Sequence, residues 1–169
     1  MTLEHALVDI YALLPVPTST AVAAFFDAFC PNGTSASSDY TLPDVLAAAG
    51  LTPASHEPAS FYFRPAPDQQ FVRAAMVHFC DDGAIVVGLS IAAATPRQTA
   101  LHAERTLQAL ADAIGATYGY CLLESLPNTE SCVAFQRESR ISPPPSLVNG
   151  VVFPVPDPDS WLGPTFLAP

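Results

Sequence analysis

The chain has 169 residues, half of them hydrophobic, which makes a single domain, 1–169, the starting expectation, with enough length to bury a core without metals or disulfides. Six arginines and no lysine face 16 carboxylates, for a formal charge of −10 and a pI near 4.4. That balance excludes an electrostatic route to nucleic-acid phosphates or an anionic bilayer, and no apolar run approaches the roughly 18–20 residues of a membrane helix.

Met1-Thr-Leu-Glu-His-Ala6 has no basic region ahead of an apolar core, so the expected location is the cytoplasm. Residues 3–14 place Leu3, Leu7, Ile10 and Leu14 at helical spacing and predict an amphipathic helix stopped by Pro15 and Pro17. Thr18 or Ser19 caps a second helix, with Val22, Phe25, Phe26 and Phe29 as its apolar stripe. Pro31-Asn32-Gly33 ends it, and 34–40 is a polar loop. Thr41-Leu42-Pro43-Asp44 starts a short helix, Leu42–Ala49, that closes on Gly50.

After a loop over 53–60, Phe61-Tyr62-Phe63 predicts a short strand. Arg64-Pro65-Ala66-Pro67-Asp68 breaks it, which suits an edge. The strongest local signal follows: two β-branched and aromatic runs, 72–80 and 84–91, flank Asp82-Gly83. A two-residue type I′ turn there sets Cys80 opposite Ile85, His78 opposite Val87, Met76 opposite Leu89 and Ala74 opposite Ile91. Both faces of this hairpin are mostly apolar, so it belongs in the middle of a sheet covered on both sides.

Thr95-Pro96-Arg97-Gln98 is a complete capping box for a helix over 96–114, with Gly115 just past its end. Residues 117–123 predict another strand, which a right-handed crossover brings back parallel to one hairpin strand. Residues 125–131 form a polar turn, and 133–137 a weak strand or helical turn. From Ser142 the prolines exclude a long helix. Val151-Val152-Phe153 suits an edge strand, and Trp161, Leu162 and Phe166 would pin an extended tail, with disorder past about residue 155 as the alternative. The fold class is α+β: a mostly antiparallel sheet on a central hairpin (72–80/84–91), helix 96–114 on one face and the N-terminal helices alongside.

No residue pattern selects a reaction. Cys30, Cys80, Cys121 and Cys132 are far apart and read as buried thiols, with no metal site among them. Of the four histidines, His5, His56 and His102 fall on surfaces or loops, while His78 lies within a predicted strand. A Cys–His pair of His78 with Cys80 or Cys121 is geometrically conceivable, but an apolar surround raises a thiol pKa. The turn explains Asp81 and Asp82 without a metal. Ser90 lacks the second glycine of a nucleophile elbow, and Gly88 marks a close backbone approach or a bulge. No carboxylate pair is selected for glycoside chemistry, and no cofactor is implied. What remains is surface: Asp39, Tyr40, Glu57, Tyr62, Asp68, Glu124 and Glu130 form a candidate acidic, aromatic rim for a basic protein partner.

The run of apolar strand, Asp-Asp-Gly turn, Ile85-Val-Val-Gly-Leu-Ser-Ile91, amphipathic helix and Gly115-Ala-Thr-Tyr-Gly-Tyr-Cys-Leu-Leu-Glu124 resembles small acidic immunity proteins of bacterial polymorphic or contact-delivered toxin systems. The resemblance is one of pattern over about residues 60–125 and carries no functional residue across. It implies a cytoplasmic α+β protein that neutralises a cognate toxin by direct binding, without chemistry of its own. With the charge balance, the expected partner is a basic toxin domain and no nucleic acid or membrane, the chain being a monomer or homodimer. Two alternatives stand beside it: an acidic dimeric secretion chaperone, and a small-molecule-binding protein or enzyme with a pocket near His78, Tyr118 and Tyr120.

Overall fold

The computed structural model describes residues 7–36, 39–49, 59–93, 95–123, 125–139, 145–148 and 151–154. Its frame is a five-stranded antiparallel sheet in the order β2-β3-β4-β1-β5. The strands are β1 (Val8–Leu13), β2 (Ser60–Phe63), β3 (Val72–Phe79), β4 (Ile85–Ile91) and β5 (Gly119–Leu123), joined by helices α1 (Ser19–Phe29), α2 (Leu42–Ala49), α3 (Pro96–Ile114) and α4 (Cys132–Glu138). The expected α+β class, the antiparallel sheet and the central β3–β4 hairpin are all present.

Residues 8–13 correct the first expectation, because they form a strand and not a helix. All six residues of β1 are buried. Val8, Ile10 and Ala12 join the main core, while Tyr11 and Leu13 join a smaller cluster on the opposite face. That alternation has period two, and the run Val-Asp-Ile-Tyr suits a pleat. Leu7, Ile10 and Leu14 also fit a helical stripe, so local pattern alone could not separate the two states. Pairing decides: β1 hydrogen-bonds β4 on one side and β5 on the other. A helix there would leave both neighbours with bare edges.

The hairpin turn is one residue longer than expected, which corrects the register. Cys80 N–H donates to Ala84 O at 2.8 Å and Gly83 N–H to Cys80 O at 2.9 Å. Gly83 has φ of +83°, so Asp81-Asp82-Gly83 is a turn closed by a left-handed glycine, as in three-residue hairpins. His78 therefore pairs with Val86, Val77 with Val87 and Met76 with Gly88. One residue of slip moves every β4 side chain to the other face relative to β3. His78 and Met76 thus share a face with Val86, Gly88 and Ser90, not with Val87, Leu89 and Ile91.

The first face carries the core. Val77, Phe79, Ile85, Val87, Leu89 and Ile91 meet Phe25, Phe26 and Phe29 of α1, Val45 of α2, and Ala103, Leu107 and Leu110 of α3. Full burial of each large apolar side chain contributes about 1.5–3 kcal/mol. The helix ends match their sequence signals. Thr18 and Thr95 accept Ala21 and Gln98 N–H groups, and Gly115 closes α3 at φ of +66°. At α2, the Asp44 carboxylate takes both the N–H and the hydroxyl of Thr41 at 2.7 Å, and these bonds hold its pKa below the usual carboxylate value.

After α3 the chain enters β5, parallel in direction to β4 as expected, but β1 lies between the two. The second face, with Tyr11, Leu13, Met76, Cys80, Val86 and Tyr120, is covered in part by Phe135 of α4. Residues 133–137 are therefore helical. Further on, β6 (Pro145–Val148) and β7 (Val151–Pro154) form a separate antiparallel pair, so 151–153 does not extend the main sheet. Gly50 and the tail with Trp161, Leu162 and Phe166 lie outside the described residues.

As expected, β2 is an edge, and its outer side is blunted. Ala36 N–H donates to Tyr62 O and Arg64 N–H to Thr34 O. The Tyr40 hydroxyl donates to Tyr62 O at 2.6 Å and accepts Tyr62 N–H at 2.5 Å. One phenol thus does what a neighbouring strand would do for that residue. Tyr40→Phe should cost about 1 kcal/mol and speed amide hydrogen exchange at Tyr62 severalfold. Unchanged exchange at Tyr62 would show that the hydroxyl does not protect the edge.

Candidate functional site

On the second face, the register brings together residues from all five strands of the sheet. One row across the sheet reads Tyr62, Met76, Gly88, Tyr11, Tyr120, and the next reads Ala74, Ser90, Asp9, Leu122. Because Gly88 has no side chain, the Tyr11 ring settles over its backbone; an added Cβ would lie 2.6 Å from Tyr11 Cδ1 and 2.8 Å from Cε1. The glycine's close-approach role is therefore met by Tyr11. Beside this ring lies an open hollow of about 250 Å³, lined by Tyr11, Tyr62, Met76 and Leu126, with Asp9, Ser90 and Ser125 as its polar members and Leu7 at the side.

Among the described residues lining the hollow, Asp9 is the one carboxylate, and it is buried. The Ser90 hydroxyl donates to its Oδ1, and Ser125 N–H donates to Oδ2 at 3.1 Å. The Tyr11 hydroxyl donates to Ser125 O at 2.8 Å, so the segment after β5 is tied to β1 through both backbone polar groups of Ser125. Burial, and then the Asp9 charge, push the Tyr11 pKa above its ordinary value. The phenol stays neutral and serves as a donor.

His78 lies behind the tyrosine walls. Its ring meets Tyr11 edge-on at 5.7 Å and Tyr62 at 6.2 Å. Nδ1 sits 2.7 Å from Ser60 Oγ, while Nε2 is buried with no hydrogen-bond partner among the described residues. The residue is 1% exposed, and burial lowers its pKa from 6.5 to about 4. The imidazole is neutral at physiological pH. In the neutral ring one nitrogen carries the proton and the other accepts, and the Ser60 hydroxyl can serve Nδ1 in either role.

The thiols are equally quiet. Burial pushes Cys30 and Cys80 up to about 12, Asp82 adding to the effect on Cys80. Burial also raises Cys121, with Asp9 contributing, and Cys132, with Asp82 contributing. Cys121 joins the first-face core and His78 points to the second face, so the sheet separates them. Among the described residues, no cluster of His, Cys, Asp or Glu could hold a metal ion. Neither Tyr118 nor Tyr120 lines the hollow. The Tyr120 hydroxyl accepts Asn128 N–H at 2.9 Å, and burial is the main cause of its raised pKa.

Asp82 has a structural role beyond the turn. Its Oδ1 accepts Ala84 N–H at 3.1 Å and its Oδ2 accepts Cys132 N–H at 2.8 Å. The carboxylate therefore fastens the hairpin to the start of α4. Asp82→Ala should cost about 1–2 kcal/mol in chemical denaturation, with Asp82→Asn recovering part of it. An Asp82→Ala variant as stable as the parent would remove this link.

The described residues of the expected rim are spread over both ends of β3. Tyr40 and Tyr62 meet at the β2 edge, with Asp39 beside Tyr40. Asp68 lies exposed in the turn leading into β3. Glu130 lies beyond the other end of β3, where Asp81 N–H donates to Thr129 O. Eight residues of strand separate these two ends, a span of about 25 Å. Glu57 and Glu124 fall outside the described residues, as do His5 and His56. Of the described rim residues, only Tyr62 reaches the hollow.

Sequence reasoning missed Asp9, Tyr11, Met76, Ser90, Ser125 and Leu126 as site residues. The alternation of Val8, Ile10 and Ala12 with Asp9 and Tyr11 was the available signal for the first two. No described helix is long and apolar enough to cross a membrane. Comparison with known proteins finds no matching family model, no similar curated protein and no similar solved structure.

Proposed function

We propose that this protein is a non-enzymatic binding module that acts on another protein, most concretely an immunity protein that neutralises a bacterial toxin by direct binding in the cytoplasm. The observation that carries this reading is the inert state of the groups from which chemistry would be built. The buried thiols of Cys30 and Cys80 are held near 12, far above neutral pH, and His78 is neutral and 1% exposed. Nucleophilic or general-base catalysis needs such groups accessible and poised near the working pH. Surface features instead favour recognition. Tyr62 and Leu126 expose apolar side chains around an acidic hollow, and a net charge of −10 steers encounter with a basic partner.

The test is co-expression with the toxin candidate encoded next to this chain's gene. Growth should be restored, and the two purified proteins should form a stoichiometric complex whose association slows as salt rises. Failure to rescue any neighbouring gene product, or a turnover activity abolished by His78→Ala in a folded variant, would sink the proposal.

A further inference from the structure

We infer that the hollow between Tyr62 and Asp9 takes the guanidinium of an arginine side chain presented by a basic protein partner. This rests on the protein-binding function proposed above and names the group recognised.

Size comes first. At about 250 Å³, the hollow falls below the roughly 300–1,000 Å³ of pockets that engulf small-molecule ligands. It has room for one long side chain. The walls then select the kind of chain. Tyr62 presents aromatic surface, the buried Tyr11 ring and Met76 form the floor beneath, and Leu126, 66% exposed, forms an outer lip. An aliphatic stem packs on the leucine, while a planar cation lies favourably against the exposed phenol ring of Tyr62.

The polar end fits the same ligand. Asp9 brings a carboxylate whose position is fixed by the Ser90 hydroxyl and the Ser125 N–H, so little side-chain freedom is lost on binding. None of the described residues lining the hollow is basic, and the whole chain adds a field of net charge −10. Arginine is favoured over lysine because its guanidinium stacks on rings and is less strongly hydrated than an ammonium. Exposed apolar surface at the lip, which water wets poorly, is covered in the same step.

The experiment titrates the isotopically labelled full chain with acetyl-Gly-Arg-Gly-amide and with the same peptide carrying citrulline, which keeps the shape and removes the charge. Expected are saturable amide shifts at Ser125, Leu126 and Tyr62, with the citrulline peptide weaker by about fivefold or more. Tyr62→Ala should weaken the arginine peptide by a similar factor in a chain whose amide spectrum shows it folded, since Tyr40 holds the Tyr62 backbone and the lost ring contact with His78 is a separate effect. Equal response to citrulline, shifts confined to another surface, the absence of saturable shifts, or an unaffected Tyr62→Ala variant would each overturn the inference. Growth rescue by a chain whose hollow ignores arginine would overturn it too and leave the proposed function standing. Arginine capture by a chain that rescues nothing would instead overturn the proposed function and leave the guanidinium site.

Discussion

Acidification from pH 6.5 to pH 4 is expected to cost the fold about 3 kcal/mol through His78. Its pKa falls from 6.5 to about 4 because the ring is buried, and a shift of one unit corresponds to about 1.4 kcal/mol. The folded value lies below the unfolded one, so between the two the unfolded chain binds the extra proton and stability rises with pH. The contribution is complete above about pH 6.5, is lost as pH falls toward about 4, and levels off below that. Ser60 Oγ at Nδ1 and the rings of Tyr11 and Tyr62 give an imidazolium no charge to pair with. Urea denaturation at several pH values measures the slope, and His78→Leu should flatten it by up to one proton's worth, about 1.4 kcal/mol per pH unit. A variant with the parent's slope would show that His78 is not the titrating group.

Gly88→Ala should be the most damaging single methyl in the sheet. The new Cβ would stand 2.6 Å and 2.8 Å from two Tyr11 ring carbons and 3.0 Å from the Ile10 carbonyl oxygen. A flexible side-chain end could step aside, but this ring is anchored at its far end by the hydroxyl bond to Ser125 O. It is also hemmed by His78 and Tyr120. Backbone and ring must both shift, and overpacking of that kind costs about 1–3 kcal/mol or more. Thermal melts should show a fall of about 2–12 °C. Adding Tyr11→Leu should recover part of the loss relative to additivity, because the two positions share one volume. Full additivity of the two changes would mean the ring is not what the methyl meets.

Both outcomes turn on two neighbouring rows of the second face, which are only partly legible in the sequence. The caps at Thr18 and Thr95, the closing Gly115 and the Thr41/Asp44 start are satisfied by partners within four residues, and each was readable from short stretches of chain. The phenylalanine stripe of α1 and the Ala103–Leu107–Leu110 stripe of α3 were readable for the same reason. A helical period repeated over several turns leaves few alternatives.

Two features escaped. Residues 8–13 satisfy a helical and a strand pattern at once, and only the bare edges of β4 and β5 select the strand. Asp82-Gly83 is compatible with a turn of two residues or of three, and the difference of one residue exchanges the faces of an entire strand. With that exchange, His78 joins Val86 and Ser60, and Met76 joins Gly88 beside Tyr11.

Class, helix ends and the hairpin itself thus follow from neighbours in the chain, whose interactions cost little loop entropy and leave local marks. The hollow follows from Ser90 meeting Asp9 across 81 positions, Tyr11 meeting Ser125 across 114 and Asp9 meeting Ser125 across 116. No local pattern encodes such meetings. They exist only once β1 has entered the sheet and the turn length has set which side each residue faces.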